Sequence, residues 1–436
     1  MAKLKTIFVC QSCGTTAANW IGQCPQCGEW NTFVEDVTQV SSKAKSGLSK
    51  TFGVKPIKLS EVTIKPAKRL SCNISEVDRV LGGGFVPGQV VLLAGEPGIG
   101  KSTILTEIAR NLGEVKVLYV CGEENIDQIK IRVSRMNYPA KNLSMLPETH
   151  LESIEDAIRT GDYGLVIVDS VQTLYTDDLT GVAGSITQVR GCTQVLTIAA
   201  KDKGVPLVLV GHVTKEGVVA GPKVLEHIVD TVLFLEGDSQ HLYRLLRTTK
   251  NRFGPVSEVG IFEMNATGMQ EVTNPSKIFL EQRLAKSPGS CVTVIMEGYR
   301  PILFEVQALS IKTSFGYPKR TASGYNVNRL QVLLAILEKR VGLNLSSYDI
   351  YLNIAGGFKI SEYAADLAVC MAVASSIKDK PLAEKTAVFG ECGLNGEVRQ
   401  VTYQDKRVKE AKKLGYTNVV SPEKVRTMLE AMHIAF

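Results

Sequence analysis

The eight residues Gly95-Glu96-Pro97-Gly98-Ile99-Gly100-Lys101-Ser102 match the phosphate-binding pattern G-x-x-x-x-G-K-[ST] at every fixed position. The apolar run Val90–Ala94 before them reads as a buried strand, and residues 103–112 after them read as a helix. That context predicts a loop whose backbone N–H groups curl around a triphosphate. Gly95 through Thr103 are the expected ATP-binding residues, with Lys101 on the β/γ-phosphates and the Ser102 hydroxyl on Mg²⁺. A second constellation lies in the first thirty residues, where Cys10, Cys13, Cys24 and Cys27 follow C-x2-C-x10-C-x2-C. Two such knuckles supply four thiolates to a tetrahedral Zn²⁺, and Gly14 and Gly28 permit the turns behind them. So small a segment draws its folding free energy from the metal.

Hydrolysis also needs carboxylates. Leu165-Val166-Ile167-Val168-Asp169 is an apolar strand ending in an acid about seventy residues after the loop, as expected of a Walker B strand whose Asp169 holds Mg²⁺. Glu123 and Glu124 end the strand before it; one of them is the expected general base, with Glu123 preferred. His212, at the end of residues 208–211, stands where a polar group could sense the γ-phosphate or simply be a satisfied loop histidine.

The elements that must position these groups alternate from about Arg69: strands at 90–94, 115–121, 165–169, 206–211 and 231–236, with helices between. This predicts an α/β domain with a mostly parallel sheet and nucleotide at the carboxyl ends of its strands. Around it, the expected organisation is a zinc ribbon at 1–35, a basic flexible linker at 36–68, the ATPase at 69–273, a second linker at 274–287 and a further α/β unit at 288–436. In that last unit 290–297 and 308–313 read as strands, and 328–340 and 364–376 as helices. A hydrophobic fraction of 44% and a charged fraction of 22% are globular, and no apolar run approaches a membrane span. Residues 1–7 lack the apolar core of a secretory signal, so a cytoplasmic location is expected. The net charge of +6 is wholly N-terminal: residues 1–70 hold ten Lys/Arg and four Asp/Glu. Polyanion attraction and a solvated basic tether both fit that excess. The six cysteines outside the ribbon, Cys72, Cys121, Cys192, Cys291, Cys370 and Cys392, read as small core residues.

Residues 81–84 (Leu-Gly-Gly-Gly), the P-loop, Gly122-Glu123-Glu124, residues 211–215 (Gly-His-Val-Thr-Lys) and above all Lys250-Asn251-Arg252-Phe253-Gly254 together resemble the bacterial RadA (Sms) family, over nearly the entire chain. The resemblance implies a RecA-type core in a homo-oligomeric, hexameric ring: a DNA-dependent ATPase of repair and recombination, helicase-like, promoting branch migration on single-stranded and branched DNA beside a recombinase partner. Lys250 and Arg252, two apart on an extended segment, could face one anion; in a ring that anion is a neighbour's γ-phosphate, which makes Arg252 an arginine-finger analogue and Lys250 its partner. Residues 176–185 with Gln188 and Arg190, and residues 215–223, match loops that line the DNA channel of RecA-type proteins, with Arg190, Lys215 and Lys223 as candidate phosphate contacts.

The C-terminal unit resembles the proteolytic domain of Lon, but Ala364 stands where that pattern has its serine and Arg407 where it has its lysine. A methyl group is no nucleophile and a guanidinium is no base. The expectation is therefore a non-proteolytic scaffold for ring assembly and for DNA contact through Lys339, Arg340, Lys406 and Arg407. The alternatives are an ATP-dependent Lon-type protease and a nucleotide-switched adaptor without motor activity.

Overall fold

The computed structural model describes residues 4–10, 15–17, 19–39, 68–212, 222–237, 242–284, 286–313 and 316–436. The chain divides into two compact units, 1–271 and 272–436.

The N-terminal ribbon is a three-stranded antiparallel sheet of β1 (Leu4–Cys10), β2 (Thr16–Ala17) and β3 (Phe33–Gln39), in the order β2-β1-β3. Strand β3 pairs with β1 along its whole length, from Cys10↔Phe33 to Leu4↔Gln39. The ribbon therefore continues four residues into the stretch expected as linker; the rest of that linker, 40–67, lies outside the described residues. Among the described residues Cys10, Cys24 and Phe33 form its buried cluster, with Phe8 and Ala17 against them and Val9 also buried, a core too small to stabilise a fold alone.

The ATPase core runs through α1 (Ser75–Leu81), β4 (Val90–Gly95), α2 (Lys101–Asn111), β5 (Val117–Cys121), α3 (Ile126–Arg135), β6 (Leu143–Leu146), α4 (Leu151–Thr160), β7 (Leu165–Asp169), α5 (Ile186–Lys203), β8 (Leu207–His212), α6 (Pro222–Leu225), β9 (Thr231–Glu236), β10 (Tyr243–Asn251), β11 (Val259–Asn265) and β12 (Gly268–Glu271). One nine-stranded sheet holds them in the order β12-β11-β10-β9-β4-β8-β7-β5-β6. The run from β9 to β6 is parallel, and β10, β11 and β12 extend it antiparallel. Strands β4, β5 and β7 are buried from end to end, which is why they read as unbroken apolar runs. Alternation along them feeds two cores. Val91, Leu93, Tyr119 and Cys121 pack with Ile104 and Ile108 of α2 and Ile129 of α3; Val90, Leu92, Leu118 and Val120 pack with Ile154 of α4 and Leu196 of α5.

The second unit comprises α7 (Pro275–Glu281), β13 (Ser290–Glu297), β14 (Arg300–Lys312), β15 (Arg320–Ser323), α8 (Val327–Ile336), β16 (Tyr348–Ile354), α9 (Asp366–Lys378), β17 (Thr386–Val388), β18 (Glu391–Cys392), β19 (Val398–Arg399), α10 (Gln404–Lys413), β20 (Asn418–Val420) and α11 (Met428–Ala435). Its six-stranded mixed sheet is ordered β15-β16-β14-β13-β17-β20, and β18 pairs with β19 separately. Helix α9 is buried at every position from Asp366 to Ser375. The stretch 274–287, expected as a linker, is in its first half a helix of this unit. Asn274 caps α7 by accepting from the Lys277 N–H at 3.1 Å, and Phe279 stacks on Phe304 and meets Phe358 edge-to-face, with ring centroids 4.9 and 4.7 Å away. The helix expected to run to Arg340 ends at Ile336 and continues as a wider π-helical turn, Leu337–Val341, closed by Gly342. All six cysteines expected in cores are buried. Among the described residues no helix is long and apolar enough to cross a membrane.

Candidate functional site

Parallel pairing of β4 with β8 sets Gly95 directly opposite His212, and the P-loop turns from there into α2. Gly98 and Gly100 adopt φ of +74° and +112°, backbone conformations that side chains resist. The Lys101 ammonium folds back onto the loop. It donates to the carbonyls of Gly95 at 2.9 Å and Glu96 at 3.0 Å, and meets His212 Nδ1 at 3.2 Å. Burial lowers its pKa, with Asp169 and Glu123 opposing the shift. Because an ammonium can only donate, His212 Nδ1 is the acceptor; its Nε2–H then donates to Glu123 at 2.9 Å. Lys101, His212 and Glu123 form one chain across the site.

Asp169 lies at the end of β7, and one of its carboxylate oxygens accepts from Ser102 Oγ at 2.7 Å and from the Tyr119 hydroxyl at 2.6 Å. The donor atoms of Glu123, Asp169 and His212 lie within 4.8 Å of one another. A cavity of about 330 Å³ opens here, lined by P-loop residues with Glu123, Glu124, Arg132, Asp169 and His212. Oxygen donors beside a loop of N–H groups fit a magnesium–triphosphate. Of the paired acids, Glu124 is held in a bidentate ion pair by Arg132 of α3, whereas half of the Glu123 side chain remains exposed. Glu123 is thus the acid open to water. A second cavity of about 420 Å³ adjoins the first, sharing Thr103, Glu124 and Arg132 and bounded by Met264 and residues 265–268 of the β11–β12 turn.

Sequence reasoning missed Tyr119, Arg132 and Arg244. Arg244 on β10 donates through Nε to the Ile99 carbonyl at 3.2 Å, bracing the loop. Tyr119 had a signal available: two residues before Cys121 on the same strand face, it reaches Asp169 across the β5–β7 pairing, where Cys121 stands opposite Asp169.

Lys250 and Arg252 are placed away from this pocket. On β10 Asn251 pairs with Thr231 at the start of β9, while Gly95 pairs with Leu235 near its end. The pentapeptide therefore sits towards the opposite end of the strands, about 13 Å along β9 by strand rise. Lys250 Nζ donates to the carbonyls of Glu226 and, at 2.8 Å, Val229. Arg252 meets the buried Asp230 carboxylate at 3.1 Å, as does Lys201, and the other Asp230 oxygen accepts from the Val90 N–H. Asn251 donates to the Val80 and Leu81 carbonyls, and Arg69 binds the Phe253 carbonyl at 2.6 Å. The motif is welded to the glycine turn after α1, and half of the Arg252 side chain still faces solvent.

Of the DNA-contact candidates, Arg190 is exposed on α5. Lys215 lies outside the described residues, as does the side chain of Lys223. Gln188 points inward: its amide donates to the carbonyls of Thr176, Leu179 and Gly181 and accepts from the Thr176 N–H. It shapes the 176–181 loop and offers nothing to a ligand.

In the ribbon, the sulfurs of Cys10, Cys24 and Cys27 lie within 4.8 Å of one another, and the Gly28 N–H closes the second knuckle on the Cys24 carbonyl at 2.9 Å. Cys13 lies outside the described residues. Three converging thiols suit a tetrahedral soft-ligand metal site.

The C-terminal unit corrects one expectation. Arg407 is fully buried, donating to the Val294 carbonyl at 2.7 Å, the Thr402 carbonyl at 2.9 Å and both oxygens of Glu362. It cannot touch DNA. Ala364, two residues after Glu362, is buried at the entrance to α9. Lys406, one residue earlier, lies over the Tyr299 and Tyr403 rings at about 5 Å.

Fold and site define a P-loop nucleotide-binding protein with a RecA-like core, an N-terminal zinc ribbon and a C-terminal α+β domain. Family models agree in order along the chain: a rubredoxin metal-binding domain at 8–35, an AAA domain at 55–218 and subunit ChlI of Mg-chelatase at 327–425. Proteins described as DNA repair protein RadA from Halalkalibacterium halodurans, Bacillus subtilis and Listeria monocytogenes are each 48% identical over 97% of this chain, which spans 94%, 93% and 93% of their lengths. Among solved structures, a RadB recombinase (22% identity, TM-score 0.38, 47% of this chain and 99% of that one) and a KaiC-like protein from Pyrococcus horikoshii (18%, TM-score 0.40, 48% and 100%) are each similar to about half of this chain. The chain belongs to the RadA family of DNA repair proteins.

Two substitutions test this geometry. Tyr119→Phe removes one of two donors to Asp169, a charge-assisted bond worth about 1.5–3 kcal/mol; the Mg²⁺ concentration giving half-maximal ATP turnover is expected to rise several-fold, read by titrating Mg²⁺ at fixed ATP. Arg407→Ala strands Glu362 and two carbonyls, and chemical denaturation should show the C-terminal unit losing roughly 3 kcal/mol.

Proposed function

We propose that this protein is a DNA-dependent ATPase that works as a ring-shaped motor, hexameric by resemblance, promoting branch migration of recombination intermediates on single-stranded and branched DNA. The observation that carries this reading is the position of Lys250 and Arg252. They lie towards the opposite end of the strands from the P-loop of their own subunit, which supports a reading in which the nucleotide they serve belongs to a neighbour. Arg252 is anchored by Asp230 yet half exposed, as a group reaching across a subunit joint must be.

Within one subunit the contacts support a role for each residue. Lys101 exchanges the Gly95 and Glu96 carbonyls and His212 for phosphate oxygens. Ser102 and Asp169 are placed to hold Mg²⁺, whose charge, when bound, neutralises the developing phosphate charge. Glu123 is open to take the proton of the attacking water. His212, bonded to both Lys101 and Glu123, registers when the lysine leaves. The adjoining cavity beside Arg132 and the β11–β12 turn accommodates the nucleoside. Lys223, Lys215 and Arg190 remain candidate phosphate contacts, and the ribbon zinc is held by Cys10, Cys13, Cys24 and Cys27, with a recombinase among its candidate partners. The C-terminal unit, with a buried methyl at 364 and a sealed guanidinium at 407, serves as a non-proteolytic scaffold.

The test is complementation. Lys101→Ala and Arg252→Ala chains should each lose most single-stranded-DNA-stimulated turnover. Mixed, they should regain a measurable fraction, because some joints pair an intact P-loop with an intact Arg252. Loss of turnover without rescue in rings shown by mass measurement to be mixed would overturn the shared site. DNA-stimulated ATPase without unwinding of a three-stranded substrate would overturn the motor.

A further inference from the structure

The whole chain contains two tryptophans, and both stand exposed on the ribbon: Trp20 at 54% and Trp30 at 66%. Neither joins the ribbon's small core of Cys10, Cys24 and Phe33. A unit with so little apolar interior carries its two largest side chains outside that cluster, half or more exposed. The backbone holds them together. Gln23 bridges to Trp30 in antiparallel fashion, and the Asn31 N–H donates to the Gly22 carbonyl at 2.7 Å. Between them in space is Gly22, where an added Cβ would lie 3.7 Å from the Trp30 ring and 3.8 Å from the Trp20 ring, ordinary van der Waals contact. The glycine leaves open the space that both indoles border. Ile21 and Val34 extend the exposed apolar surface.

Resting on the DNA reading above, we propose that Trp20, Gly22 and Trp30 form a stacking site for unpaired bases of single-stranded DNA. Every base has a π-face, so indole platforms bind a strand without reading its sequence. Charge supports a nucleic acid as occupant over an apolar peptide: residues 40–69, directly after the ribbon, carry eight Lys/Arg against one Asp/Glu, an attraction for phosphate that falls with salt. The site is separate from the channel loops of the ATPase core and gives the ribbon its own hold on the strand.

Because these are the chain's only tryptophans, their emission reports on the site directly. The zinc-loaded full chain is titrated with oligo(dT) without nucleotide, following tryptophan emission and, in parallel, the anisotropy of a labelled oligonucleotide. Emission should be quenched in step with binding. Trp20→Ala/Trp30→Ala should weaken binding by roughly fivefold or more, from the worth of one stacked base, while zinc content and DNA-free ATP turnover stay unchanged. Gly22→Val, which fills the space and keeps both indoles, should reduce quenching and affinity together. Binding by anisotropy with unchanged emission, or equal affinity in a double variant that retains its zinc, overturns the site. Absence of all DNA binding by the intact chain fails the DNA reading itself, and is distinguishable from both.

Discussion

Parallel pairing of β4 between β8 and β9 is the constraint on which the nucleotide site depends. It fixes Gly95 opposite His212 on one side and Leu235 on the other. The lysine of the loop, in reaching for its own carbonyls, therefore meets the histidine of the next strand, and through it Glu123 from β5. Asp169 reaches the same place because β7 lies beyond β8 with all strands running the same way. A one-residue slip in any of these pairings would turn the carboxylates away from the loop. The strands are buried on both faces, so the two cores hold that register.

The parts legible in sequence are those whose chemistry is written in local spacing. The P-loop, the cysteine knuckles and the Asp169 strand each follow from residue types a few positions apart. The preference for Glu123 over Glu124 came from its place just past the strand; the ion pair of Glu124 with Arg132, eight residues on in α3, was not legible. Tyr119 was hidden inside an apolar strand, where a tyrosine reads as bulk until the neighbouring strand is known. Strands β10 to β12 and β6 were not anticipated: their alternation is short, and their partners are fixed by the sheet rather than by the segment. The linker at 274–287 was misread because Pro275 marks a helix start as well as a boundary. Gln188 illustrates the converse case, a polar residue in the first turn of α5 whose amide contacts are made to its own 176–181 loop.

Arg407 shows how a catalytic position can be closed by physics. A lysine there could lose its proton when buried; a guanidinium keeps its charge, and the fold meets that charge with Glu362 and two carbonyls. The result is a structural rivet with no open lone pair. The same unit keeps Asp366 buried between Tyr325, Arg329 and the Cys392 N–H, so its interior charges are spent on architecture.

Asp230 joins the start of β4, the end of α5 and Arg252. A single buried carboxylate thus ties the strand that leads into the phosphate loop to the pentapeptide at the far end of the strands. Removing it would leave the Val90 N–H, Lys201 and Arg252 without their shared acceptor. The foot of the loop-bearing strand and the solvent-facing guanidinium therefore hold their places together or lose them together.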